Sequence, residues 1–584
     1  MKEITRLGKI LRIIILILLF SSVSVLGFLV FNEPGIQSQE QRPGRTPALP
    51  TPAATTPTPA PTPTPEPTPY YYTPAASDSS APEIFGYKRE LELNGSRIDS
   101  FKRNLPLKFK DSGEYSELEG VLTFRGNNYR NSASYGITKV STKKLNHVWT
   151  VETGSMSKGI SGDGSWTGSG WVGQPLIVRW PNSTKQIMNL YESAKSKENL
   201  VEVILATMDG NVYFTDLETG EPTRDKLRIG MPFKGAGSLD PRGYPILYLG
   251  SGDCYNDDKR DTRALIYSLI DFSRLFEFGQ RKDPFALRSW HAYDSAPLIN
   301  KEADLLIYPG ENGIIYTMKL NTNYNEAEGK LSVEPSEVLK YRYFADRTGE
   351  SKYWLGYEDS AAAWGSYLYL SDNAGLMQCI DLNTMDIVWV QDTWDDTNGS
   401  PVLEVAQDEH TAYIYIGTSL HFKANSEGKG KVALFKIDAV TGKVIWEHVR
   451  NVRTVSGVSG GIQATALLGQ GKISDLIIVP FARTPSTSNG ILVALDKYTG
   501  IERWSYGLEA YAWSSPLAIY DEQGNAYIIQ ADTRGHIYLL EGETGRLLDT
   551  LFFENNNFEA SPAAYGDTIV IGSRAAKIYG IRIS

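Results

Sequence analysis

Hydrophobic and polar positions alternate through most of the chain after residue 140, in short runs that end at Gly, Pro, Asp or Asn. Val432-Ala-Leu-Phe-Lys-Ile437, Ile491-Leu-Val-Ala-Leu495 and Ala412-Tyr-Ile-Tyr-Ile-Gly417 show the form. A period of two, rich in β-branched and aromatic residues, predicts strands, and the turn residues between runs predict antiparallel connections. A small residue followed by Pro opens many of the groups, at Ala296-Pro297, Ser400-Pro401, Ser515-Pro516 and Ser561-Pro562. Each group then holds two further strands, a turn, and a last strand that carries Trp.

The turn is the clearest repeat. Asp438-Ala-Val-Thr441-Gly442-Lys-Val-Ile-Trp446 recurs as Asp496-Lys-Tyr-Thr499-Gly500-Ile-Glu-Arg-Trp504. Weaker copies stand at Asp381 to Trp389, Asp216 to Gly220 and Glu541 to Gly545, with degenerate ones near Asp271 and Asn321. Asp opens the turn with its side chain and Gly supplies positive φ. A repeat of this length built of four strands predicts an all-β, eight-bladed β-propeller of four-stranded antiparallel blades. The blades begin near Gly173, Gly235, Asp294, Glu358, Asn398, Ser459, Trp513 and Glu559. The last has no Trp strand, whereas Leu145-Asn-His-Val-Trp149-Thr-Val is an orphan one. That N-terminal strand is expected to complete the eighth blade and close the ring; seven blades is the alternative count.

These Asp-x-x-Thr-Gly-x-x-x-Trp units resemble the tryptophan-docking repeats of the pyrroloquinoline-quinone (PQQ) type β-propellers. Leu122-Thr-Phe-Arg125-Gly126-Asn127-Asn-Tyr-Arg130 resembles a stretch found ahead of the first blade in that group. The resemblance covers roughly residues 120–584. It implies the fold and leaves activity open, since one fold hosts many functions.

The ends add a compartment. Ile13 to Phe31 is an uncharged apolar run, preceded by Lys2, Arg6, Lys9 and Arg12. At 1.5 Å per residue it makes roughly 28 Å of helix, enough to cross a membrane core. The positive-inside rule puts residues 1–12 in the cytoplasm and the rest outside as a single-pass protein of the cell membrane. A cleaved signal peptide is the rival reading, and it exports the same residues. Residues 32–83 are Pro/Thr-rich, as in Thr58-Pro59-Ala60-Pro61, and read as a disordered stalk. Residues 84–144 form an N-terminal lead-in, and the propeller occupies 145–584.

Composition narrows the chemistry. A net charge of −10 argues against nucleic acid. Two cysteines, Cys254 and Cys379, exclude a disulfide scaffold, and each reads as a small buried residue beside a strand. Alcohol-oxidising quinoproteins carry an adjacent Cys-Cys pair and a Ca²⁺ site, and this sequence has neither motif. PQQ and Ca²⁺ are therefore not supported as cofactors. Gly457-Val-Ser459-Gly-Gly461 has the letters of a nucleophile elbow but no helix pattern after it, so it reads as a turn. The run Asp253 to Asp261 reads as a solvated acidic loop.

Aligning the blades brings out a rim. The residues before the innermost strands include Trp171, His291, Tyr293, Asp294, Tyr357, Glu358, Asp359, Asp395, Asp396, Asn398, Tyr511, Trp513, Phe558 and Glu559. Carboxylates and amides bind hydroxyls or cations, and aromatic faces stack on sugars or attract ammonium groups. The competing reading makes the rings inter-blade packing and the acids a solvated rim. The expected function is a non-enzymatic ligand-binding or scaffolding module for a cell-wall glycan or an envelope protein. The alternative is a PQQ-dependent alcohol or sugar dehydrogenase.

Overall fold

The computed structural model describes residues 73–159, 162–253, 261–280, 283–350, 353, 355–408, 410–455, 457 and 459–584. The expected cytoplasmic tail, the span at 13–31, the stalk up to residue 72 and Cys254 lie outside these residues. Among the described residues no helix is long and apolar enough to cross a membrane.

Eight sheets follow one another in chain order. Their first strands are Leu176–Arg179, Ser238–Leu239, Leu298–Asn300, Ala362–Trp364, Val402–Val405, Leu467–Leu468, Leu517–Tyr520 and Ala563–Tyr565. We number the blades 1 to 8 in that order. The ring closes as the repeat predicts, because Leu145–Glu152 pairs antiparallel with Lys577–Ile583 as the outer strand of blade 8. Apolar residues on both faces of each sheet form clusters shared between neighbouring blades, such as Leu403, Ile414 and Phe435 of blade 5 against Tyr369 and Trp389 of blade 4. Cys379 is one of these buried residues.

The Asp-Thr-Gly-Trp repeat locks four of the blade junctions. Asp438 Oδ1 accepts the Val440 and Thr441 amides at 2.7 and 3.1 Å, which folds the turn. The Trp389 indole of blade 4 donates to Ala439 O at 3.0 Å. The same bond joins Trp149 to Leu217, Trp446 to Lys497 and Trp504 to Gly542. Gly442 has φ +68° and a Cβ there would sit 2.7 Å from the Trp389 ring, so glycine serves both the turn and the docking.

The small residue upstream of each first strand has an equally local reason. The Ala296 amide donates to Ser360 Oγ, Ser360 to Ser400 Oγ, Ser400 to Thr465 Oγ1, Thr465 to Ser515 Oγ, and Ser515 to Ser561 Oγ, at 2.8–3.1 Å. Ser561 N then reaches Gly173 O of blade 1 at 2.9 Å. A chain of hydrogen bonds thus runs around the channel from blade 3 to blade 1.

The N-terminal segment does more than lead in. Ala75 and Ser77 donate to Val440 O and Thr441 O, so the packed domain begins about ten residues before the expected stalk boundary at 83. Lys88–Leu93 pairs with Ser336–Phe344 and extends blade 3 outward. Gly120–Val121 pairs with blade 1, and Ser134–Tyr135 pairs parallel with Ala563–Tyr565 of blade 8. These additions give blades 1, 3 and 8 more than the four strands expected. Blade 1 also carries two short helices, Asn182–Ile187 and Glu192–Ser196, which the strand pattern did not signal.

Between those two pairings, residues 120–136 cross the channel. Leu122 O accepts Leu239 N of blade 2, Asn128 O accepts Ala363 N of blade 4, and Tyr129 O accepts Leu403 N of blade 5. The Phe-Arg-Gly-Asn stretch is therefore a plug that ties the inner strands together.

Candidate functional site

The loops before the first strands meet at one mouth of the channel, where two groups of side chains come together. The first is acidic. Asn373 Nδ2 donates to Asp396 Oδ1 at 2.9 Å and to Glu358 Oε1 at 3.2 Å. Asn398 Nδ2 donates to Glu358 Oε2 at 2.7 Å, and Arg288 Nη1 donates to Asn373 Oδ1 at 2.9 Å. Blades 3, 4 and 5 are thereby linked through polar side chains alone. Asp294 and Glu311 of blade 3 lie buried beside this network.

Burial of so many acids raises their proton affinity. Burial is the main cause that pushes Asp294 up to about 7; Glu358 and Asp253 add to it, and Lys234 and Arg288 oppose it. Glu311 is held well above the usual range by burial, then by Asp294 and Glu358. Asp396 is raised by burial and then by Glu358.

A pH dependence with a definite sign follows. A carboxyl that holds its proton more tightly when folded contributes most at acid pH, and that contribution is lost as pH rises through its folded value. For Asp294 the loss runs from about pH 4 to about 7. Asp294→Asn is therefore expected to gain stability relative to the parent between pH 5 and pH 8. Urea midpoints of both proteins at the two values check this, and a variant that loses ground over that interval contradicts the burial argument.

The second group is aromatic. Trp171 of blade 1 and Trp513 of blade 7 meet edge to face with ring centroids 6.4 Å apart, and Tyr511 lies 5.6 Å from Trp513. Lys234 Nζ sits over three rings, those of Trp166, Trp171 and Trp290, at 4.8, 5.1 and 5.4 Å. Arg483 lies 3.9 Å over Tyr511. Glu559 accepts Asn557 Nδ2 at 3.0 Å and pairs with Arg574 at 3.7 Å. Lys234 joins the two groups, because its charge also acts on Asp294.

Of the residues expected at the rim, Trp171, Asp294, Glu358, Asp396, Asn398, Trp513 and Glu559 come together here. Others do not. Tyr293 is buried among Phe278, Tyr308 and Tyr316, and Tyr357 is buried with its hydroxyl donating to Gln378; both are inter-blade packing. Asp395 accepts the amides of Asp396, His421, Phe422 and Lys423, so it folds a loop. Asp359 is fully buried and accepts Ser371 N at 2.7 Å. His291 and Phe558 are buried. The acidic run from Asp253 to Asp261 is not solvated at its ends: both residues are buried, and Asp253 accepts Trp166 Nε1 at 2.5 Å. Ser459 bonds Thr454 Oγ1 and Val455 N, as a turn residue does.

Lys234, Arg288, Glu311, Asn373, Trp166 and Trp290 were missed. Lys234 stands directly before Gly235, at the entry of blade 2, so its place in the repeat puts it at the mouth. Glu311 and Asn373 come from the loop between the second and third strands of their blades, which antiparallel pairing returns to the same face as the blade entry.

The quinone cofactor of the PQQ type is a tricarboxylate. The acidic group sets Asp294, Glu311, Glu358 and Asp396 against Lys234 and Arg288, so it does not fit that anion. Among the described residues no group of three or more His, Cys, Asp or Glu side chains is placed to hold a metal ion.

Comparison with known proteins agrees on architecture. Residues 356–512 match the family described as outer membrane protein assembly factor BamB. A Yersinia pestis protein of that description is 22% identical over 196 residues, 33% of this chain and 44% of the relative. The chain thus spans less than half the length of that curated relative. Quinohemoprotein alcohol dehydrogenase ADHIIG from Pseudomonas putida HK5 superposes with a TM-score of 0.50 at 11% identity, over 80% of each chain. At that identity the likeness is one of fold. BamB from Moraxella catarrhalis gives 0.42 at 13% identity, over 70% of this chain and 98% of that one.

Proposed function

From the premise that this chain is a β-propeller of the PQQ-type repeat family, we propose that it is a non-catalytic scaffolding module of a cell envelope. In this reading it docks a protein partner at the channel mouth. The observation that carries it is the convergence there of aromatic, cationic and acidic side chains from all eight blades. Partly buried Trp171, Trp290 and Trp513 offer the large apolar anchors that dominate protein interfaces. The acids beside them suit a basic partner segment by ion pairing and cation–π contact. The relative described as an outer membrane protein assembly factor supports a role among envelope proteins. The apolar run at 13–31 would hold the propeller outside the membrane, with the Pro/Thr-rich stretch as spacer.

Binding of a panel of basic peptides and soluble cell-wall glycan fragments to the purified full-length chain tests this. Trp513→Ala and Trp171→Ala are each expected to weaken peptide binding by about thirtyfold, the size of an interface anchor. Glycan binding with no peptide binding would replace the partner class. Affinity unchanged by both substitutions would move the docking site off the mouth. The same preparation given PQQ and Ca²⁺ is expected to show no dye-linked alcohol oxidation, and turnover would overturn the non-catalytic reading.

A further inference from the structure

We infer that the channel plug holds a small monovalent anion at Arg125 Nε and Nη2. The sequence Arg125-Gly-Asn-Asn-Tyr-Arg130 places two arginines in the channel, both fully buried and both at positive φ, 55° and 56°. That backbone is costly for a side chain with a Cβ, so each arginine is held where it points by its surroundings.

The two differ in how their donors are used. Arg130 spends every nitrogen. Its Nε donates to Ala361 O at 2.9 Å and its Nη2 to Ala296 O at 3.0 Å. Its Nη1 donates to Thr123 Oγ1 at 2.7 Å and Phe124 O at 2.9 Å. Arg125 spends only Nη1, on Pro516 O of blade 7 at 2.9 Å. Its Nε and Nη2 are buried without a partner.

Charge points the same way as geometry. Among the described residues no carboxylate pairs with Arg125, and burial lowers its pKa only to about 10, so it stays a cation at neutral pH. A buried guanidinium without a counter-charge is among the most costly groups a fold can hold, and a guanidinium is not relieved by losing its proton. The two open donors lie on the adjacent edge of one planar fork, which suits a single acceptor lying in that plane. One positive charge calls for one negative charge, and complete burial calls for a halide-sized ion.

Thermal unfolding of the full-length chain in chloride and in gluconate, at equal ionic strength, tests the site. Gluconate is too large to enter. A rise of about 1–2 °C at about 100 mM chloride is expected for a millimolar site in a domain of this size. Arg125→Met should abolish the difference. Crystals soaked in bromide should show an anomalous peak in contact with Nε and Nη2, a readout that stands even where Arg125→Met fails to fold. Water without an anomalous signal at that position, or a chloride effect that persists in Arg125→Met, would overturn the inference.

Discussion

Trp149→Ala is expected to destabilise the propeller by about 3–5 kcal/mol, the range for removing a buried aromatic ring. The indole is 7% exposed and closes the ring by packing between its own blade and the next. Its Nε1 donates to Leu217 O at 2.9 Å, and the space above it is left by Gly220 and Gly580, where a Cβ would lie 2.7 and 2.0 Å from the ring. Alanine opens a cavity, leaves the Leu217 carbonyl unpaired and loosens the strand that joins the two ends of the chain. Because that strand is the seam, local damage becomes a broken ring. Urea unfolding of the parent and variant measures the loss. Trp513→Ala, which removes a partly buried ring at the mouth, serves as the control and should cost less. Equal losses from the two would contradict the assignment of Trp149 to the seam.

An effect of similar size is expected inside blade 1. Glu202 and Arg224 are both fully buried and pair through Arg224 Nε and Nη2 at 3.0 and 2.5 Å. Trp180 Nε1 and Thr223 Oγ1 also donate to the carboxylate, at 2.8 and 2.5 Å. Arg224 Nη1 reaches Leu269 O of blade 2 at 2.9 Å, and its guanidinium lies 4.7 Å from the Phe214 ring centroid. Arg224→Met leaves a buried carboxylate without its counter-charge, which costs about 3–5 kcal/mol. Removing both charges with Glu202→Leu and Arg224→Met should recover much of that, because the remaining loss is only the surplus of the pair over apolar packing. A double-mutant cycle from denaturation curves checks it. A double variant as unstable as the sum of the singles would mean the two residues act independently.

The mouth shows how a linear reading of a site can be half right. Aligned columns find residues that share a place in the repeat, and the repeat brings Asp294, Glu358, Asp396 and Trp513 to one opening. They do not say which neighbour in the column turns inward. Asp395 and Asp396 are adjacent, yet one caps a loop and the other joins the Asn373 network. Tyr293 and Asp294 are adjacent, yet the ring goes between blades and the carboxyl toward the mouth. Successive residues of extended chain point to opposite sides, so a shift of one residue reverses every assignment.

What the sequence determined by itself is whatever one blade and its neighbour decide locally. Strand alternation, the Asp-Thr-Gly turn, the Trp that docks on the following turn and the hydroxyl before the first strands of blades 4 to 8 all use partners in the same blade or in a neighbour along the chain. They repeat, and repetition makes them legible. The orphan Trp strand at 145–151 was legible for the same reason, since the repeat lacked one strand at its end. Only the tertiary structure decided what fills the channel and what meets at its mouth. Arg125 bonds Pro516 and Arg130 bonds Ala296 and Ala361, partners separated by up to 391 residues and set side by side by ring closure. No period in the chain encodes such contacts. They depend on the twist of eight sheets about a common axis, and that twist exists only once the ring is closed.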